Sequence, residues 1–202
     1  MILVLATHNE GKKKEIETSL NLPFLEIKSL ADFPAGLEII EDGDSFAENA
    51  LKKARTVCEY LKMPVLADDS GLMVDVLGGA PGIFSARFSG PRATDQANNE
   101  KLLTLLEGVP EDRRTSRFIC ALVFYAPSGQ WRLTEGICQG RIALAPEGDQ
   151  GFGYDPVFYL PEWGKTMAQL PLEAKNRISH RARALEKMRP HLFSLVKDTT
   201  RG

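Results

Sequence analysis

The strongest constraint on the fold is a helix with a marked start and a marked end. Ser45-Phe46-Ala47-Glu48 is an S-x-x-E capping box, in which serine and glutamate side chains satisfy backbone donors left open by the first helical turn. Behind it Phe46, Ala50, Leu51, Ala54, Val57, Cys58 and Leu61 recur at helical spacing, and Pro64 stops the run. Val65-Leu66-Ala67 follows at once and reads as a strand entering Asp68-Asp69-Ser70-Gly71, which has turn chemistry, with a second strand over Leu72–Leu77. Upstream, Met1–Ala6 is continuously apolar and suits a buried strand. Thr7-His8-Asn9-Glu10-Gly11 then turns the chain into a helix reaching Leu20, with Ile16 and Leu20 inward and Lys13, Lys14 and Glu17 in water.

The second half reads differently. Gly78–Pro91 is a long loop rich in Gly, Pro and Ser, and a helix covers Asp95–Glu107 with Thr94 as N-cap. Phe118–Tyr125 and Gln130–Thr134 flank Ala126-Pro127-Ser128-Gly129, a hairpin signal. Further strands are expected over Gly136–Ala143 and Pro156–Leu160, and a basic helix runs from about Ser179 toward Pro190. Early alternation followed by hairpins predicts an α/β fold with a mixed sheet. The 202 residues fit one domain with room for two lobes.

Composition removes several function classes. With 25 Lys plus Arg against 27 Asp plus Glu, the net charge is −2, which argues against holding nucleic acid by bulk positive charge. Cys58, Cys120 and Cys138 are odd in number and form no CxxC, so they read as buried thiols of a reducing compartment. The longest apolar runs, Met1–Ala6 and Phe118–Ala126, are too short to span a bilayer, and no basic segment precedes the first. A cytoplasmic protein without a membrane partner is expected.

Four clusters carry candidate chemistry. Thr7 to Lys12 lies between a strand and a helix, where exposed N–H groups attract phosphate, Gly11 allows close approach and Lys12 adds charge. It is no Walker A loop, since Ala6 stands at the first glycine position; Tyr159 spoils Gly164-Lys165-Thr166 in the same way. Glu38, Glu41, Asp42 and Asp44, followed by Asp68-Asp69, offer carboxylates suited to a hard cation such as Mg²⁺. Neighbours in a strand point to opposite faces, so one of Asp68 and Asp69 is expected to meet the cation and the other to support it. Gly151-Phe152-Gly153-Tyr154-Asp155-Pro156 can lay a ring against a planar ligand. Lys175 to Arg189 holds six Lys or Arg plus His180, either a solvated helix face or donors for a base edge or phosphate.

Order and spacing together are more specific than any single cluster. The chain resembles the non-canonical purine nucleoside triphosphate pyrophosphatases, the XTP/dITP diphosphatases or ITPases. The blocks that carry the resemblance are Thr7–Lys12, Ser45–Ala50 with Lys53, Ala67–Leu72, Gly78–Arg87, Gly151–Pro156, and Lys175-Asn176 with Ser179-His180-Arg181. The resemblance implies an elongated mixed sheet with flanking helices and two lobes around a nucleotide cleft, in one domain over residues 1–202. It implies a homodimer and Mg²⁺-dependent release of pyrophosphate from ITP, dITP and XTP, leaving the monophosphate and clearing damaged precursors.

Roles carry over position by position. Asp69 matches the catalytic carboxylate, and Asp69, Glu41 and Asp68 the metal-linked acids; Asp42 or Glu38 remain alternatives to Glu41. Thr7, His8, Asn9, Glu10, Gly11 and Lys12 match the phosphate loop, with His8 contributing backbone, and Lys53 and Ser70 match further substrate contacts. Phe152, Gly153, Tyr154, Asp155, Lys175, His180 and Arg181 match the base-recognition surface. Two rivals stand beside this reading: a non-catalytic nucleotide or nucleic-acid binding module using Lys175–Arg189, and a pyrophosphatase for another base.

Overall fold

A computed structural model describes residues 2–20, 22, 25–34 and 36–199. Seven strands form one mixed sheet in the order β2-β1-β3-β4-β5-β6-β7, where β1 is Ile2–Leu5, β2 Glu26–Ser29, β3 Val65–Val74, β4 Thr115–Tyr125, β5 Trp131–Ile142, β6 Phe158–Leu160 and β7 Lys165–Thr166. β1 runs parallel to β2 and β3, with Leu5 opposite Ser29 and Leu66. β6 pairs antiparallel with β5 and β7. The helices are α1 (Glu10–Leu20), α2 (Phe46–Leu61), α3 (Asp95–Leu105), α4 (Leu172–Ile178) and α5 (His180–Thr199). The mixed α/β class expected from the sequence is the one observed.

The chain divides into two compact units. Unit 1 holds residues 1–69, 120–136 and 180–202; unit 2 holds 70–119 and 137–179. In unit 1, Leu3, Leu5 and Leu66 pack with Ile16 and Leu20 of α1, Leu122 and Phe124 of β4, and Leu185, Met188 and Leu192 of α5. In unit 2, Leu72 and Val74 pack with Leu102 and Leu106, and with Phe118, Ile142 and Phe158. Cys120 lies in the first core and Cys138 in the second, Cys58 is buried on α2, and none of the three is in a disulfide. Among the described residues no helix is long and apolar enough to cross a membrane.

Helix starts follow the sequence closely. Ser45 is extended and accepts from the Glu48 N–H, while Glu48 accepts from the Asp44 N–H. Thr94 caps α3 by accepting from Ala97. Three expectations are corrected. Asp68-Asp69-Ser70-Gly71 is no turn but the middle of one ten-residue strand, because both carboxylates find cationic partners instead of water. Gln130–Thr134 and Gly136–Ala143 merge into the single strand β5. Gly78–Pro91 is not wholly irregular, since a 3-10 turn occupies Gly82–Arg87.

Unit 2 has a cationic staple of its own. Arg114, buried at 5% exposure, donates to the carbonyls of Leu106, Val109 and Ala143 at 2.8, 3.0 and 3.1 Å, tying the end of α3 to the segment after β5. Arg114→Met strands one buried and two part-buried acceptors and is expected to cost about 2–4 kcal/mol. Arg114→Lys recovers little, because an ammonium lacks the planar fork. Urea denaturation checks this: the midpoint falls with an unchanged slope.

Candidate active site

The centre of unit 1 is built on adjacent strand residues with opposite surroundings. Asp68 and Asp69 sit in β3, which is buried along almost its whole length. Asp68 forms an ion pair with Lys12 of α1 through Oδ1. Its Oδ2 accepts from Arg181 Nε of α5 at 3.2 Å and from the Cys120 thiol of β4 at 3.0 Å. Burial alone raises this carboxyl, but the Arg181 and Lys12 charges outweigh it and hold Asp68 well below the usual carboxylate range. Arg181 is itself 2% exposed and pairs also with Glu15 on α1. Its guanidinium thus joins two carboxylates from different elements.

Asp69 is left in a different state. Lys53 Nζ approaches its Oδ1 at 4.0 Å, and Oδ2 is buried without a hydrogen-bond partner among the described residues. Burial pushes its carboxyl up to about 6, against the opposing pull of Lys53 and Lys12. A buried carboxylate oxygen with no donor is costly unless something else meets it.

Lys53 explains why α2 matters. The helix buries Phe46, Ala50, Ala54 and Val57, yet Asn49 and Lys53 lie on that same buried face. Lys53 Nζ donates to the Asp68 carbonyl at 3.1 Å and pairs with Glu41 Oε1 at 2.8 Å. Asn49 Oδ1 accepts from the Gly43 N–H at 2.8 Å and so fixes the segment that carries Glu41. Of the three acids left open above, Glu41 is the one that meets Lys53. Asp42 pairs instead with Lys52 at 2.6 Å, and Glu38 is exposed.

The phosphate-loop candidates form a closed turn. Asn9 donates its N–H to Thr7 Oγ1 at 3.0 Å, and its own Oδ1 accepts from the Lys12 N–H at 2.9 Å, capping α1. His8, Asn9 and Glu10 are exposed, and Thr7 and Gly11 half-buried. Ser70 follows Asp69 in β3 and is half-buried.

Unit 2 holds a second group. Asp155 and Lys175 form a buried ion pair at 2.5 Å, and Asp155 Oδ2 also accepts from the Phe152 N–H at 3.3 Å. Tyr154, 4% exposed, donates its hydroxyl to the Ser85 carbonyl at 2.9 Å. Gly151 has φ +95°, and a Cβ there would lie 2.0 Å from Asp155 Oδ2 and 2.1 Å from Lys175 Nζ. Only glycine lets that pair close. The basic helix expected from about Ser179 is α5, which His180 and Arg181 begin in unit 1, whereas Lys175 belongs to the separate short helix α4 in unit 2.

A hard divalent cation fits the donor set in part. Asp69 supplies a buried oxygen without a protein donor, and Glu41 reaches the same lysine. Asp68 has its oxygens engaged by cations and a thiol. Among the described residues no three acidic, His or Cys side chains converge as a metal cage.

Buried carboxylates on a sheet strand, matched by lysines from two flanking helices, define an α/β protein with a charged centre of the kind polyphosphates require. Residues 3–191 match the Ham1 family, and the chain belongs to it. It is 53% identical over 186 residues to a dITP/XTP pyrophosphatase of Geobacillus kaustophilus, covering 92% of this chain and 91% of the relative. A protein of the same name from Listeria monocytogenes is 49% identical over 199 residues, 98% of each chain. Among solved structures, the Staphylococcus aureus Ham1 protein superposes with a TM-score of 0.86 at 36% identity, covering 96% of this chain and 99% of that one.

Proposed function

We propose that this protein hydrolyses the α–β phosphoanhydride bond of deaminated purine nucleoside triphosphates, dITP, XTP and ITP, giving the monophosphate and pyrophosphate. As a Ham1-family chain about half identical to dITP/XTP pyrophosphatases, it is a nucleoside triphosphate pyrophosphatase. The observation that carries the reading is Asp69, whose buried, donor-free Oδ2 lies in a carboxylate beside the Lys53 ammonium.

In this scheme Asp69 Oδ2 takes the proton of the water that attacks the α-phosphorus. The new bond joins water oxygen to α-phosphorus, and the bond to the bridging oxygen breaks. Lys53 and Lys12 offset the charge gathering on the departing pyrophosphate. Asp68 holds Lys12 in place, and Thr7 and Asn9 shape the turn before it. Asp69 and Glu41 would hold Mg²⁺, which when bound supplies Lewis-acid polarisation of phosphate oxygens.

Base choice is assigned to Phe152, Tyr154, Asp155 and Lys175 of unit 2, and Arg181 of unit 1, bound to Asp68 and Glu15, is assigned to holding the carboxylates of that unit. Hypoxanthine and xanthine carry oxygen at C6 where adenine carries an amino group, so a buried N–H donor pairs with the former and opposes the latter. The biological role is removal of such nucleotides from the precursor pool in the cytoplasm, where free buried thiols persist. A homodimer is proposed too. Trp131 and Leu133, 43% and 38% exposed on β5, support an apolar contact.

Pyrophosphate release from ITP, XTP, dITP, GTP and ATP, each with Mg²⁺ and with EDTA, tests the reading. The expected result is metal-dependent release from the first three and little from GTP and ATP. Equal release from all five removes the base-selection scheme, and no release from any removes the catalytic one.

A further inference from the structure

The Phe152–Asp155 loop is gripped from a helix that no functional reading has included. Gly153 donates its N–H to Asp95 Oδ2 at 2.7 Å, and its carbonyl accepts from Asn99 Nδ2 at 3.0 Å. Asp95 and Asn99 are four residues apart on α3, so they project from one face of it. Both polar groups of one residue are therefore held by one helix turn. Gly153 has φ +64°, a conformation that frees its backbone from the line of a strand and leaves it dependent on such partners.

The neighbouring contacts act on the same loop. Asn98 Nδ2 donates to the carbonyls of Ser85 and Ala86 at 3.3 Å, and the Ser85 carbonyl is the acceptor of the Tyr154 hydroxyl. Phe152, on the other side of Gly153, is tied to Asp155 through its N–H. Asn99 is 7% exposed, and its Oδ1 has no hydrogen-bond partner among the described residues. A helix-packing residue has no reason to bury an amide with half its capacity unmet, since an apolar side chain of that size would cost less. The retained interaction is the one with Gly153.

We propose that Asp95 and Asn99 are positioning residues for base selection: together they fix the Gly153 peptide groups and thereby the orientation of Phe152 and Tyr154 toward a purine. This rests on the assignment of the Phe152–Asp155 loop to base recognition made above. The mechanism is indirect, because neither side chain needs to touch the nucleotide. Loss of either bond lets the Gly153 peptide rotate, and discrimination between bases falls before general phosphate chemistry does.

The test compares kcat/KM for dITP with that for dGTP in the parent, Asn99→Leu, Asp95→Ala and Asp95→Asn. Leucine keeps the volume of Asn99 and removes its donor; asparagine at 95 keeps an acceptor for the Gly153 N–H. The dITP preference is expected to fall roughly tenfold in Asn99→Leu and Asp95→Ala, the scale of one lost hydrogen bond. The change lies mainly in the KM for dITP, and Asp95→Asn recovers most of it. An unchanged preference in both deletion variants overturns the proposal, as does a parallel loss on both nucleotides with no change in their ratio. A parent without any dITP preference overturns the assignment of the loop itself, and the two failures are thereby told apart. Should Asp95→Ala fold poorly, Asn99→Leu decides alone, with its melting curve as the check.

Discussion

Asp69→Asn is expected to lower turnover of dITP or XTP roughly 10²–10⁴-fold while nucleotide binding survives, and at pH 7.5 to make the metal-free protein more stable than its parent. The two effects share one cause. Asp69 is buried, and its carboxyl is raised to about 6 from 3.8. The folded state therefore binds more protons than the unfolded chain between those values. Its stabilising contribution is full below about pH 4 and lost as pH rises through about 6. Above that, the ionised carboxylate costs up to about 3 kcal/mol, from roughly two pH units of displacement. Asparagine removes the charge and with it this cost. The stability gain should be clear in EDTA at pH 7.5 and small at pH 4.5, which thermal melts at the two pH values will show. Turnover at the parent rate takes the base role from Asp69. A lower melting temperature at pH 7.5 means that Lys53 and Lys12 more than offset burial. The acid limb of parent kcat/KM lies at or below about pH 6, since a bound cation lowers the carboxyl further.

This conflict between stability and chemistry is what the local sequence concealed. Asp68-Asp69-Ser70-Gly71 has the composition of a turn, so the strands legible on either side of it, Val65–Ala67 and Leu72–Leu77, read as two and not as one. The strand persists because its partners arrive from far along the chain: Lys12 on α1, Lys53 on α2 and Arg181 on α5. Long-range charge pairing overrides turn propensity and leaves no trace in a short window. The α2 helix was legible to its first residue because capping and periodicity are local properties. The burial of Lys53 on its apolar face was not. Pro190 lies inside α5, where packing of Leu185, Met188 and Leu192 in the unit 1 core holds the helix through it.

The candidate site divides in the same way. Lys12, Asp69, Asp155 and Lys175 stood out as candidates because charged and glycine-aromatic clusters are visible as such, whereas Lys53 entered only through the resemblance. Glu15 read as part of an amphipathic helix and Cys120 as a core thiol, yet both converge on the Arg181–Asp68 pair. Asp95 read only as a helix start, though its carboxylate meets Gly153, 58 residues away. A helical period shows which residues face inward, not which distant backbone group they will meet.

Gly136→Ala should be among the most damaging substitutions outside the charged centre. A Cβ at Gly136 would lie 1.9 Å from the His180 carbonyl oxygen and 2.5 Å from the Ala184 N. Both are backbone atoms, so no side chain can swing aside, and strand and helix must separate. That junction is otherwise closed by Thr134, whose hydroxyl donates to the Ala184 carbonyl at 2.9 Å, and by Lys187, which donates to the Glu135 carbonyl at 2.6 Å. Separation costs about 3 kcal/mol, the upper part of the range for overpacked sites. It also shifts the helix turn that carries Arg181, and with it the hold on Asp68 and Glu15. Displacement of a catalytic scaffold by about 1 Å costs on the order of 10²-fold in rate. Thr134→Val provides the scale, since it removes one hydrogen bond at the same junction without adding bulk and should cost about 1 kcal/mol. Urea midpoints and dITP turnover for the two variants decide the matter. If Gly136→Ala is no worse than Thr134→Val in both, the helix is not seated on the strand as closely as described. If it is far worse, the absence of one methyl group in β5 is what lets Arg181 reach Asp68.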